Sequence, residues 1–265
     1  MTDSIRARVE ANRLWYHTID VAPGVTTRGW FDLRSVVEKM PWPDVVGKRC
    51  LDVGTYDGFL AFEMERRGAA EVVAVDIEHH EDWDWPPRTR AHGADYLRHV
   101  AGNKGAGFEI AAAALASKAT RRFVSVYDLR PEIVGVFDLV VCGDLLLHLR
   151  DPIGALEAIR TVCTGLLLSS EQVDVPLTIV HPRRAALHLN GDLAQWFVPN
   201  VVGHRHMLIT AGFDVVDHTL FGIPFGPGHP PPSVGWRGKP RQIAERLLVR
   251  GAGLPTSAVL CRPAV

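Results

Sequence analysis

The stretch Cys50-Leu51-Asp52-Val53-Gly54-Thr55-Tyr56-Asp57-Gly58 constrains this chain more than any other. Its apolar start suits a buried strand, and Phe59 to Glu65 beyond it carries helix formers at helical spacing. The run therefore predicts strand, tight turn, helix. In such a unit glycines let the backbone come close to a ligand, and the first N–H groups of the helix face it. A second apolar strand, Val72 to Asp76, ends in a carboxylate 24 residues after Asp52. An acid at that distance can accept both hydroxyls of a ribose.

Five further apolar runs follow the same logic: Arg122 to Val126, Phe137 to Cys142, Leu166 to Glu171, Phe213 to Val216 and Ser257 to Cys261. Helical stretches separate most of them, among them Phe108 to Lys118 and His204 to Ala211. Alternation of this kind predicts an α/β fold, a doubly wound, mainly parallel seven-stranded sheet of Rossmann-like type with right-handed crossovers. Residues 1–48 read as an N-terminal helical cap or lid, with helices at Ser4 to Trp15 and up to Met40, and residues 49–265 as the ligand-binding domain. Insertions are expected at 78–107, 172–200 and 222–240. The first holds Trp83 and Trp85 and is too long for a plain connection. The last carries six prolines and five glycines, which argues for a loop, with a short helix after it at Arg241 to Arg250.

Two nucleoside ligands compete for the first turn. A dinucleotide site wants Gly-x-Gly-x-x-Gly, but here Tyr56 stands between Gly54 and Gly58, and Asp52 would repel a pyrophosphate. A carboxylate there suits the cationic amino group of S-adenosylmethionine. An ordered set of blocks points the same way: Trp15 to Ile19, Asp52 to Gly58, Val126 to Leu129, Phe137 to Val140, Leu146 to Pro152 and Trp196 to Asn200. The set resembles class I methyltransferases, and more narrowly the wobble-uridine tRNA methyltransferase-like subgroup. That resemblance implies Asp52, Gly54 and Gly58 around the methionine part of S-adenosylmethionine, Asp76 on the ribose and Tyr127 and Asp128 by the adenine, with Thr55, Ile77 and Gly143 also among the cofactor-binding residues.

In an open parallel sheet the ligand sits at the carboxyl ends of the strands, so the loops after the fourth and fifth strands flank the reacting methyl group. His148 lies just beyond Asp144 and is the candidate general base for a hydroxyl acceptor, with packing of the helix start as its plain alternative. Asp144 and Glu171 end adjacent strands and complete the candidate catalytic cluster. As two carboxylates they are also a candidate Mg²⁺ site, against a helix cap and a solvated acid. Trp15, Tyr16, His188, Trp196 and Asn200 are the candidate acceptor-binding residues, since aromatics there suit stacking on a sugar face.

Net charge over 265 residues is −1, and basic residues form only local Arg pairs. A protein that grips nucleic acid by its phosphates shows a basic balance or cluster, so nucleic acid is not expected as a partner. Cys50, Cys142, Cys163 and Cys261 lie scattered in apolar surroundings, which predicts reduced core thiols and a cytoplasmic protein without a membrane anchor. The expected activity is O-methylation of a polar small molecule, a carbohydrate or glycosylated metabolite. A tRNA wobble-uridine methyltransferase and a non-catalytic cofactor-binding partner are the alternatives, and association as a homodimer is left open.

Overall fold

A computed structural model describes residues 2–101, 105–190, 194–230, 249 and 251–264. The chain begins with helix α1 (Thr2–Ala11) and four short strands, β1 (Trp15–His17), β2 (Asp20–Ala22), β3 (Val25–Thr26) and β4 (Gly29–Phe31). Only α1 is an α-helix in this stretch, because Trp15 enters a strand and the expected second helix is one 3-10 turn at Val37–Lys39. The predicted helical lid therefore keeps one α-helix, α1, followed by four short strands. Its apolar residues, among them Val9, Trp15, Ile19, Val21 and Leu33, are buried in the core.

The central unit runs β5 (Arg49–Val53), α2 (Phe59–Arg66), β6 (Glu71–Asp76), α3 (Pro87–Arg90), α4 (Ala94–Ala101), α5 (Ala106–Leu115) and β7 (Thr120–Phe123). It continues with α6 (Pro131–Val134), β8 (Phe137–Gly143), α7 (Pro152–Val162), β9 (Cys163–Gln172) and α8 (Val175–Val180). The chain closes with β10 (Leu187–Leu189), β11 (Phe197–Pro199), α9 (Val201–Thr210), β12 (Phe213–Ile223) and β13 (Leu254–Pro263). Seven strands form one sheet in the order β12-β13-β9-β8-β5-β6-β7. From β9 to β7 the neighbours are parallel, and β13 is antiparallel to both β9 and β12.

Alternation at period two assigns the side chains to two cores. Cys50, Val72, Ala74, Leu139 and Val141 face α2, α5 and the N-terminal strands. Leu51, Val53, Val73, Val75 and Val140 face α7 and α9. Both faces of the parallel strands are therefore buried, as continuous apolar runs require. Helix starts are set by side chains that satisfy free N–H groups: Asp151 accepts from Gly154 N at 2.9 Å, and Asn200 from Gly203 N at 2.7 Å. Order reverses between β5 and β8, and there the carboxyl ends of the strands open a cleft.

Insertion 172–200 carries α8, β10 and β11, where the sequence suggested irregular chain. Gly222 and Ile223 belong to β12, so the sheet takes in the start of the predicted insertion 222–240. The helix expected at 241–250 falls outside the described residues, apart from Val249. Among the described residues no helix is long and apolar enough to cross a membrane.

Candidate active site

The turn after β5 has three residues with positive φ: Gly54 at 77°, Tyr56 at 49° and Gly58 at 93°. The backbone N–H groups of Gly54 and Thr55 both donate to Val75 O, at 2.9 and 3.2 Å, which ties the turn to β6. Asp76 holds it from the side. Its Oδ2 accepts from Tyr56 N at 3.0 Å and its Oδ1 from Ile77 N at 2.8 Å. Non-glycine residues rarely adopt the conformation of Tyr56, and this carboxylate fixes it there.

The cleft occupies about 1060 Å³, counted to its open mouth. Of the sequence-predicted cofactor residues, Asp52, Gly54, Thr55, Asp76, Ile77, Tyr127 and Gly143 line it. Gly58 does not. A Cβ there would come within 2.5 Å of the Phe62 ring, so this glycine serves the packing of α2. Asp128 is also absent from the wall; it is exposed and pairs with Arg130 at 3.3 Å, while Val126 and Tyr127 take the wall.

Asp52 is 1% exposed, and its Oδ2 has no partner among the described residues. Burial pushes its carboxyl up to about 6. Asp144, with φ of 46°, accepts from Gln172 N at 2.8 Å, and burial raises its carboxyl to about 6 as well. Glu171 lies behind the wall rather than on it. It is fully buried, its Oε2 accepts from Leu146 N at 2.8 Å and its Oε1 from Gln172 N at 3.2 Å. Burial and then the charge of Asp144 push its pKa upward.

The structure thus places Glu171 off the cleft wall, where it holds the N–H groups of Leu146 and Gln172 and braces the loop that carries His148. A Mg²⁺ ion needs several oxygen ligands turned toward one point. The donors around Asp144 do not fit one, and among the described residues no group of three ligating side chains gathers.

His148 closes the 3-10 turn Leu146–His148 and lines the cleft. Its Nδ1 donates to Ala194 O at 2.9 Å, a bond that puts the basic lone pair of the neutral ring on Nε2. Trp83 meets the ring edge-on at 5.7 Å. Tyr16 also lines the cleft and packs on Tyr56 at 5.3 Å. Burial first, and then the charges of Asp144 and Glu171, raise its hydroxyl well above the usual phenol range, so Tyr16 stays a donor.

Four of the five predicted acceptor residues are placed elsewhere. Trp15 is a core side chain whose indole donates to Val9 O at 3.0 Å. Trp196 donates to Asp84 O at 2.6 Å and so tethers the segment after β6. His188 is exposed on β10 and pairs with Asp174 at 3.2 Å. Asn200 is fully buried as the cap of α9. The wall also holds residues the sequence did not single out: His17, Leu33, Asp82 and Asp84. Asp57 stands behind His17. An acid inside the glycine turn and a histidine beside Tyr16 were the available signals, but nothing in the sequence pairs positions 40 apart.

Residues 31–217 match the family described as "Methyltransferase domain". The chain belongs to that family. The methyltransferase is 29% identical over 183 residues to a ubiquinone biosynthesis O-methyltransferase of Neisseria meningitidis, covering 66% of this chain and 67% of that one. A protein of the same description from Xanthomonas oryzae is 32% identical over 124 residues, 47% of this chain and 40% of that one. Among solved structures, a chain of the complex between the Haloferax volcanii Trm112 methyltransferase activator and a methyltransferase aligns with a TM-score of 0.52. It covers 90% of each chain at 15% identity, a likeness of fold. The class I resemblance read from the sequence thus holds for the methyltransferase; the narrower wobble-uridine subgroup is not carried by these matches. S-adenosylmethionine is the cofactor of the class, and the cleft fits it: Asp52 Oδ2 is an unpartnered buried acceptor, and Asp76 ends β6 with its carboxylate on the wall.

Proposed function

We propose that this methyltransferase moves the methyl group of S-adenosylmethionine to a hydroxyl on a small, planar, largely apolar molecule of phenolic type. The supporting observation is His148 on a wall made of Tyr16, Leu33, Tyr56, Trp83, Leu145 and Leu149. When bound, the cofactor supplies an electrophilic methyl on a sulfonium, whose S–C bond breaks as the new O–C bond forms. The protein aligns the acceptor and removes its proton. Asp52 and Asp76 would hold the cofactor's ammonium and ribose, Tyr16 would donate to the acceptor oxygen, and His148 would take the proton at Nε2.

Acid strength favours a phenol. A phenolic proton with a pKa near ~10 lies within reach of an imidazole, whereas a sugar hydroxyl holds its proton more tightly. Of the aromatic side chains expected to stack on a sugar, Trp15, Trp196 and His188 are not among the residues that line the cleft. The O-methyltransferase descriptions of the two bacterial relatives support the reaction type. Purified protein given labelled S-adenosylmethionine and parallel pools of phenols and catechols, saccharides and bulk tRNA is expected to label the first pool. Label confined to saccharide or RNA would refute the acceptor class, and bound cofactor with no label anywhere would favour a non-catalytic role.

A further inference from the structure

The cleft is acidic and holds few bases. Asp52, Asp76, Asp82, Asp84 and Asp144 all contribute to its wall, and no Lys or Arg does among the described residues. His17 and His148 are the basic side chains there. A cofactor that ends in an amino acid brings both an ammonium and a carboxylate to such a wall. Asp52, with its unpartnered Oδ2, suits the ammonium. A carboxylate set among five acids needs a cation, because like charges in a low-dielectric cleft repel strongly.

His17 is built for that task. Strand β1 turns Trp15 and His17 inward, and Asp57, 1% exposed, reaches back to meet them. Asp57 Oδ2 accepts from Tyr16 N and His17 N, both at 2.8 Å, and its Oδ1 pairs with His17 Nδ1. The imidazole is thus fixed at one nitrogen, and its ring stands 5.5 Å from that of Phe59, the first residue of α2. His17 lines the same wall as Asp52, Gly54 and Asp144. His148 points its Nδ1 to Ala194 instead. With His17 Nδ1 on the Asp57 carboxylate, an N–H on the other ring nitrogen would donate into the cleft that His17 lines.

We infer that His17, held by Asp57, receives the α-carboxylate of the cofactor's methionine moiety. This assignment rests on the cofactor reading above and names the group that anchors its amino-acid end. Calorimetry with S-adenosylhomocysteine and with its decarboxylated analogue tests it in the absence of any acceptor. Wild-type protein is expected to bind the decarboxylated ligand about ten- to a hundredfold more weakly, the scale of a charge-assisted hydrogen bond. His17→Ala should weaken S-adenosylhomocysteine by a similar factor and bind the two ligands within about threefold of each other, a non-additive cycle. Equal wild-type affinities would overturn the assignment, and that comparison does not depend on the variant folding. A His17→Ala protein that still discriminates as wild type does, or that loses both ligands alike, would overturn it too. Wild-type protein that binds neither ligand would refute the cofactor reading, and this inference with it.

Discussion

Asp52 and Asp144 give the cleft an electrostatic character that changes with pH. Both carboxyls are raised to about 6 by burial, from an ordinary value near ~4. The folded state therefore binds protons the unfolded chain has released. Stability from these groups is fully present below the unfolded pKa and is lost as pH rises from about 4 through 6. Asp52→Asn should flatten that slope and stabilise the ligand-free protein at pH 8, by on the order of 1 to 3 kcal/mol, while weakening S-adenosylhomocysteine. Thermal melts of both proteins from pH 4 to 8 check this; a variant with the wild-type slope would refute it. Asp76→Ala should cost about 1 to 3 kcal/mol of cofactor affinity by calorimetry, since it removes hydrogen bonds to a charged group and frees the Tyr56 turn. At this scale Asp52, Gly54 and Asp76 were legible from local spacing alone. His17 was not, because its role depends on Asp57, 40 residues away, and a single sequence carries no pairing.

The elements explain why some boundaries read correctly and others slipped. Strands β5, β6 and β8 are buried on both faces, so their apolar runs mark them clearly. Strand β7 lies at the sheet edge with Arg122 and Phe123 exposed, and its true span, Thr120–Phe123, is polar. Val124 and Val126, which pulled the predicted strand forward, line the cleft instead. The length of the segment after β6 marks it as either functional or mobile, and its anchor is Asp84. Oδ2 of that residue accepts from Tyr127 Oη at 3.0 Å and from Arg150 N at 2.5 Å, while its carbonyl accepts from Trp196. The segment also brings Trp83 against His148. Asp84→Ala should speed amide exchange across residues 78–90 and weaken the cofactor about tenfold, with little change in melting temperature, because local opening costs less than global unfolding. Unchanged exchange there would refute the anchor. Turnover in His148→Ala should fall by roughly 10² to 10⁴ with cofactor affinity kept, if the base acts on the acceptor alone.

The whole molecule carries a net charge of −1, and its acidic cleft does not attract phosphates. Bulk tRNA is accordingly expected to bind weakly; a steeply salt-dependent, sub-micromolar affinity in a filter assay would refute that. Stability of the assembled fold depends on one buried base that no local pattern revealed. His204 on α9 is fully buried, with Ser169 Oγ of β9 at 3.0 Å from Nε2 and Ser257 Oγ of β13 at 3.0 Å from Nδ1. Burial, and then the charge of His218, lower its pKa to about 3. The neutral ring joins a helix to two strands, and the folded state refuses a proton that the unfolded chain would take below about 6.5. Its contribution is present above the unfolded pKa and is lost as pH falls from there toward 3, opposite in sign to Asp52 and Asp144. Between pH 4 and 6 the two terms therefore oppose each other, the two carboxyls adding stability as pH falls while His204 removes it. His204→Asn cannot take up a proton, so its stability relative to wild type should rise toward pH 4, after a cost of about 1 to 3 kcal/mol at pH 7 from its altered hydrogen bonds. Denaturant unfolding at pH 4, 5, 6 and 7 separates the two effects. If the stability difference between variant and wild type is the same at pH 4 as at pH 7, protonation of His204 contributes nothing to the pH dependence, and His204 is reduced to a packing residue.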